Sequence, residues 1–106
     1  MVEQYDIYLI NLDPTVGAEI KKTRPCVIIS PNELNSHLKT VIVVPLTSKV
    51  HNFPFRVKTK LMNKNGELVV DQIRTIDKKR LIKRIGTLSS RSISQLKSTI
   101  YEMLIA

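Results

Sequence analysis

Arg24 stands directly before Pro25, with Glu19, Lys21 and Lys22 just ahead of it in the segment Asp13-Pro14-Thr15-Val16-Gly17-Ala18-Glu19-Ile20-Lys21-Lys22-Thr23-Arg24-Pro25. A residue before proline is biased to extended geometry. Arg24 therefore sits at the mouth of the apolar run 25–30, on the rigid side of a polar loop. A guanidinium in that place can clamp a phosphate through two parallel N–H bonds. The plain alternative is an exposed arginine at a strand start. A second polar stretch, Pro45-Leu46-Thr47-Ser48-Lys49, sets two hydroxyls and an ammonium after a proline. That set can hold a phosphate, and it is equally a set of ordinary turn residues. Asp71 and Gln72 interrupt an apolar run between Val70 and Ile73. In a strand, one of the two faces each side of the sheet, and each must reach solvent or a partner.

Other chemistries are poorly served. His37 and His51 have neither HExxH spacing, nor a cysteine partner, nor an acidic cluster, so no metal site is expected. A His/His acid–base pair for RNA cleavage is weak for the same reason: both lie in polar stretches, where surface histidines are common. The 3 glycines form neither a P-loop nor a dinucleotide loop, and no cofactor is expected. The single cysteine, Cys26, excludes an intrachain disulfide and a cysteine zinc cluster, and fits a reducing, cytoplasmic setting. No apolar stretch approaches the roughly 20 residues of a membrane span. The acidic start MVEQYDIY is unlike a signal peptide, so secretion is not expected, and with no apolar span no membrane partner is expected either.

The scaffold for these residues is one globular domain of 106 residues, 42% hydrophobic and 25% charged. Residues 5–12 are β-branched and aromatic and read as a strand. Residues 13–23 form a loop of about eleven residues, long enough in so small a domain to suggest function. Strands follow at 25–30 and 40–46, with a helical turn in 31–39 behind Pro31. Pro45 points to an edge or a bulge. After a second polar loop at 47–52, residues 53–60 alternate, with Phe53, Phe55, Val57 and Thr59 on one face. Asn65-Gly66 is a hairpin signal, residues 67–74 return, and 82–88 form a further strand. Ser92 and Gln95 have capping-box spacing, and Ile93, Leu96, Ile100, Met103 and Leu104 recur at helical intervals. The expectation is a mainly-β fold: about six strands closed into a small antiparallel barrel, with a C-terminal α-helix. Loops 13–23 and 47–52 are then displayed at its rim.

Charge adds a partner class. There are 17 Lys+Arg against 9 Asp+Glu, for a net charge of +8. The first 20 residues hold Glu3, Asp6, Asp13 and Glu19 and no basic residue, so the excess lies beyond them. Its densest run is Arg74, Lys78, Lys79, Arg80, Lys83 and Arg84. Such a surface suits nucleic acid, an acidic protein or a membrane surface, or is simply a solvated basic face. The small core favours a homodimer.

Several blocks in fixed order carry a resemblance. They are Asp13-Pro14-Thr15-Val16-Gly17-Ala18-Glu19, Arg24-Pro25 with its strand to Ser30-Pro31, and Val44-Pro45-Leu46-Thr47-Ser48-Lys49. Next come Phe53-Pro54-Phe55-Arg56-Val57, Asp71-Gln72-Ile73-Arg74-Thr75-Ile76-Asp77, and the stretch from Arg80-Leu81 to Gly86-Thr87-Leu88. Over essentially the whole chain the sequence resembles the MazF/PemK (Kid) toxins of bacterial type II toxin–antitoxin modules, the mRNA interferases. The resemblance implies an SH3-like barrel with a C-terminal helix, assembled as a homodimer. It implies sequence-specific, metal-independent cleavage of single-stranded RNA, leaving a 2′,3′-cyclic phosphate and a 5′-hydroxyl, and growth inhibition as the result. The family's catalytic Arg and Thr fall on Arg24 and Thr47, and an activity-linked Glu falls on Glu19. RNA binding is expected of Lys21, Lys22, Ser48, Lys49, Asp71 and Gln72. The implied partner is a cognate antitoxin with an acidic tail, and DNA would be met only indirectly, through an antitoxin complex. Ala18 stands where the family often has Ser, Lys21-Lys22 where it often has Gly, and Val69 where PemK-type members have a functional Arg. Two other readings share the sequence: a non-catalytic toxin of the same fold that poisons a large enzyme such as gyrase, and a non-catalytic RNA-binding barrel.

Overall fold

A computed structural model describes the whole chain, Met1–Ala106. Seven strands make one curled antiparallel sheet: β1 (Asp6–Asn11), β2 (Thr23–Ile28), β3 (Thr40–Thr47), β4 (Val57–Leu61), β5 (Lys64–Leu68), β6 (Arg74–Asp77) and β7 (Leu81–Thr87). A short helix α1 (Asn32–Asn35) links β2 to β3, and α2 (Ser90–Leu104) closes the chain. The order across the sheet is β4-β5-β3-β2-β1-β7, with β6 also on β3. The outer strands β4 and β7 are not hydrogen-bonded to each other, so the expected barrel is a half-barrel, and it has seven strands where about six were expected.

β3 is the hub. One edge pairs with β2, setting Cys26 against Pro45 and Val27 against Val44. The other edge pairs with β6 over Thr40 to Val43, then with β5 at Leu46 and Thr47. Pro45 lies at that changeover, where its missing N–H breaks no ladder and its carbonyl accepts from Val69 N at 2.8 Å. The edge or bulge expected at Pro45 is thus a switch of partner within a central strand. Alternate residues face opposite sides. Ile7, Val27, Val44, Leu46 and Leu68 pack towards Leu96 of α2. Ile10, Leu12, Cys26, Ile28, Val41 and Val43 pack on the other side with Ile76. Burial on both faces explains why residues 41–46 read as an unbroken apolar run.

Four local expectations give way to tertiary structure. The alternation over 53–60 yields a strand only from Val57, because Phe55 adopts a left-handed φ of 61°. The hairpin turn is Met62-Asn63, with φ of 52° and 65°, the double positive φ of a tight two-residue loop. Asn65 and Gly66 lie inside β5 instead. The return expected over 67–74 is broken: β5 ends at Leu68, a 3-10 turn holds Val70–Gln72, and β6 starts at Arg74. Asp71 and Gln72 therefore do not divide between two faces of a sheet. The final helix begins at Ser90, capped by Ser89, whose Oγ accepts from Ser92 N at 3.2 Å. Ser92 is buried inside the helix, with its Oγ 2.8 Å from Thr59 Oγ1.

Candidate functional site

The long loop between β1 and β2 is anchored along its length. Leu12 N donates to the Lys22 carbonyl at 2.9 Å, and Lys22 N to Asp13 Oδ1 at 3.1 Å. Val16 N donates to Glu19 Oε1 at 2.6 Å, so one carboxylate oxygen of Glu19 shapes its own turn. Ile20 N donates to Gln72 Oε1 at 2.7 Å, which ties the loop to the 3-10 turn after β5. Lys22 takes a left-handed φ of 67°, a conformation glycine accepts more readily.

Arg24 leaves this loop on β2, exposed, with Nε donating to the Lys21 carbonyl at 3.3 Å. The pairing of β2 with β3 ends at Cys26 and Pro45, and Arg24 and Thr47 each lie two residues beyond it at the same end of that ladder. Thr47 ends β3 half-buried, and its Oγ1 accepts from Lys49 N at 3.2 Å, folding Thr47, Ser48 and Lys49 into one turn. Arg24 and Ser48 line a cleft of about 590 Å³ with Lys64 and Lys83, against Leu9, Leu46, Leu61, Met62 and Ile85. Three cations, no carboxylate and an apolar wall suit a ligand with a phosphate and a flat base. Glu19, Asp71 and Gln72 line a separate cavity of about 350 Å³ with Ile73 and Arg74. The single chain thus gathers the expected residues in two groups, and Glu19 does not share the cleft of Arg24. Lys21 and Lys22 are exposed on the segment that joins the two groups, and Lys49 is exposed beside the first.

A cluster that sequence reasoning missed lies next to both. Arg56 donates from Nη1 to Glu67 Oε1 at 3.0 Å, from Nε to Asp71 Oδ1 at 3.1 Å and from Nη2 to Asp71 Oδ2 at 3.3 Å. Its guanidinium lies 4.9 Å from the centroid of Phe53, whose ring stacks on His51 at 5.1 Å. Burial would push the Glu67 carboxyl up, but Arg56 and the backbone N–H groups of His51 and Asn52 hold it below its ordinary value. The hydrogen bonds from Arg56 hold Asp71 low as well. The break in pattern at Asp71-Gln72 marked this turn in the sequence, but nothing in the spacing tied Arg56 to it.

The densest basic run is largely consumed by the fold. Lys78 Nζ donates to the Asn35 carbonyl, Arg80 Nη1 to the carbonyls of Asn11 and Asp13, and Arg84 Nε to Asp6 Oδ1 at 3.1 Å. Lys83 reaches the cleft. Cys26 is buried, and burial pushes its thiol up to about 12 against the pull of Arg74, so it is a core residue and no nucleophile. No group of three or more His, Cys, Asp or Glu side chains is gathered as for a metal ion. No helix is long and apolar enough to cross a membrane.

A curled antiparallel half-barrel with one terminal helix, carrying a cation-lined cleft at the end of its central strand, defines a small β-protein suited to an anionic ligand. The chain belongs to the family of PemK-like, MazF-like toxins of type II toxin–antitoxin systems, whose family model matches residues 3–104. Among solved structures it is similar to MazF from Deinococcus radiodurans, at 20% identity over 97% of this chain and 96% of that one, with a TM-score of 0.87. An endoribonuclease from a mycobacterial species, solved with its cognate antitoxin, matches at 21% identity over 98% and 95% of the two chains, with a TM-score of 0.83. The Mycobacterium tuberculosis toxin MazF-mt6 is 25% identical over 92% and 93%, with a TM-score of 0.77.

Proposed function

We propose that this toxin is a sequence-specific, metal-independent endoribonuclease, an mRNA interferase that cuts single-stranded RNA through attack of the RNA's own 2′-hydroxyl. The observation that carries the reading is the cleft in which Arg24 and Ser48, the neighbour of Thr47, meet Lys64 and Lys83 with no carboxylate among the lining residues. Attack by a 2′-hydroxyl needs no enzyme nucleophile. It needs a base for the 2′-proton, an acid for the leaving 5′-oxygen, and cations around the phosphorane. Arg24 supplies the charge and two or more N–H donors, and a guanidinium is by its chemistry a reluctant proton donor. Thr47 orients the phosphate or the 2′-hydroxyl. By chemistry Glu19 is the ordinary choice of base, through the oxygen that does not hold Val16. Because it lines the neighbouring cavity, it serves only if bound RNA or a shift of the long loop brings it to the Arg24 cleft. Lys21, Lys22, Ser48 and Lys49 line the strand's approach. Gln72 contributes its amide NH2, because its oxygen holds Ile20, while both oxygens of Asp71 are engaged by Arg56. The bases are read unstacked, as in other single-stranded RNA complexes.

The working unit in this reading is a cytoplasmic homodimer, in which the net charge of +8 per chain doubles. Its inhibitor is a cognate antitoxin whose acidic, disordered tail folds over Arg24 and both polar loops. The antitoxin-bound mycobacterial relative supports that partner. DNA is then reached only through the antitoxin complex.

The test is incubation of the purified protein with a long RNA in excess EDTA, followed by mapping of the ends. Fragments with 5′-hydroxyls and 2′,3′-cyclic phosphates are expected. Cleavage that requires magnesium and leaves 5′-phosphates overturns the mechanism, and RNA that is bound but left intact overturns the enzyme. Light scattering should return twice the 12.1 kDa of one chain.

A further inference from the structure

We propose that Arg56 is a positioning residue that links the two halves of the site, holding the Thr47–Lys49 turn and the Glu19-bearing loop in one fixed arrangement. The inference rests on the nuclease reading for its consequence in catalysis, and on geometry alone for the linkage.

The linkage runs through consecutive contacts. Thr47 pairs with Glu67 across β3 and β5. The Glu67 carboxylate, fully buried, is met by Arg56 Nη1 at 3.0 Å. The same guanidinium grips both oxygens of Asp71, at 3.1 and 3.3 Å. The next residue, Gln72, accepts from Ile20 N at 2.7 Å, and Ile20 follows Glu19. One planar fork thus spans two carboxylates on separate elements, which a single ammonium cannot reproduce. Glu67 gives the fork its leverage. A buried carboxylate that loses its cation must take up a proton or move to water. Either response disturbs β5 beside Thr47 and frees the 3-10 turn that tethers the long loop. Asp71 in this arrangement is an anchor, with each of its oxygens accepting one bond from Arg56.

The experiment compares the wild-type chain with Arg56→Gln and Arg56→Lys. Two readouts are taken: amide hydrogen exchange without RNA, and kcat and KM on a single-stranded RNA oligonucleotide. In Arg56→Gln, exchange at Ile20 and Lys49 should quicken about tenfold while the amides of β1 and β2 stay protected. The kcat should fall roughly 10- to 100-fold, the scale of a displaced catalytic group, with KM changed by less than about twofold. Arg56→Lys, which keeps the charge and loses the fork, should lie between. If Arg56→Gln does not fold, Arg56→Lys carries the same comparison. Unchanged exchange at both amides in a folded variant overturns the proposal whatever the RNA does. So does a variant that is only less stable and keeps its kcat. Intact RNA with the wild-type chain overturns the nuclease reading instead, and the exchange data still decide the linkage.

Discussion

A Cβ placed on Gly66 would stand 2.6 Å from the carbonyl oxygen of Thr47, closer than side chains approach backbone. The absence of a side chain at Gly66 therefore lets β5 lie against β3 where the candidate catalytic threonine sits. Gly66→Ala should displace the Thr47 backbone and with it the Thr47 hydroxyl. A drop of about tenfold or more in RNA cleavage is expected, with a stability loss of about 1–3 kcal/mol, as for overpacking in a core. Chemical denaturation and a single-turnover assay check both. A variant with wild-type turnover would show that the Thr47 backbone can yield without cost to the site.

Arg24 is exposed, and its side chain makes one hydrogen bond to the chain, from Nε to the Lys21 carbonyl. Arg24→Ala should leave the urea midpoint nearly unchanged and slow cleavage by about two to three orders of magnitude, the scale of losing one transition-state donor. Thr47→Val should also slow it, since the methyl cannot orient a phosphate and no longer accepts from Lys49 N. Near-normal turnover by folded Arg24→Ala protein removes Arg24 from the active site.

Lys22 holds a left-handed backbone at some energetic cost and presents an exposed cation on the long loop. Lys22→Gly should relieve about 1–2 kcal/mol of strain, partly offset by about 0.5–1 kcal/mol from the freer unfolded chain. The net expectation is a small rise in the urea midpoint together with weaker RNA binding and a shallower salt dependence. A fall in the midpoint would mean that the lysine side chain contributes packing the backbone alone does not reveal.

Acid should unfold the protein through Glu67 and Asp71. Both carboxyls are held below their ordinary values in the folded state, so the unfolded chain binds protons first as pH falls. The stability they lend is complete above the ordinary carboxylate range, about pH 4.5, and is lost as pH drops towards the folded values. In Arg56→Lys the folded values should move back up towards those of the unfolded chain, so the onset of the loss, set by the unfolded chain, stays where it is and the stability lost between pH 7 and 3.5 is smaller. Urea midpoints at pH 7, 5 and 3.5 check this, and identical pH profiles for the two proteins would show that Arg56 does not set these ionisations.

The apolar run 41–46 and the terminal helix were legible in the sequence, because β-branched runs, proline and 3.6-residue periodicity act within a few residues. The second strand was legible too, though it spans Thr23–Ile28 and holds Arg24-Pro25 inside it where 25–30 was expected. So were the two polar loops and the family, whose blocks keep their order along the chain. The half-barrel's details were not. Phe55 interrupts its own alternation, the turn falls on Met62-Asn63, and Gly66 is required by the approach of β3. The basic run is spent on Asn35, Asp13 and Asp6, and Arg56 finds Glu67 and Asp71, 11 and 15 residues away. Which cation meets which carboxylate depends on the register between strands, and register is settled by packing both faces of β3 at once, a condition that no local stretch of sequence contains.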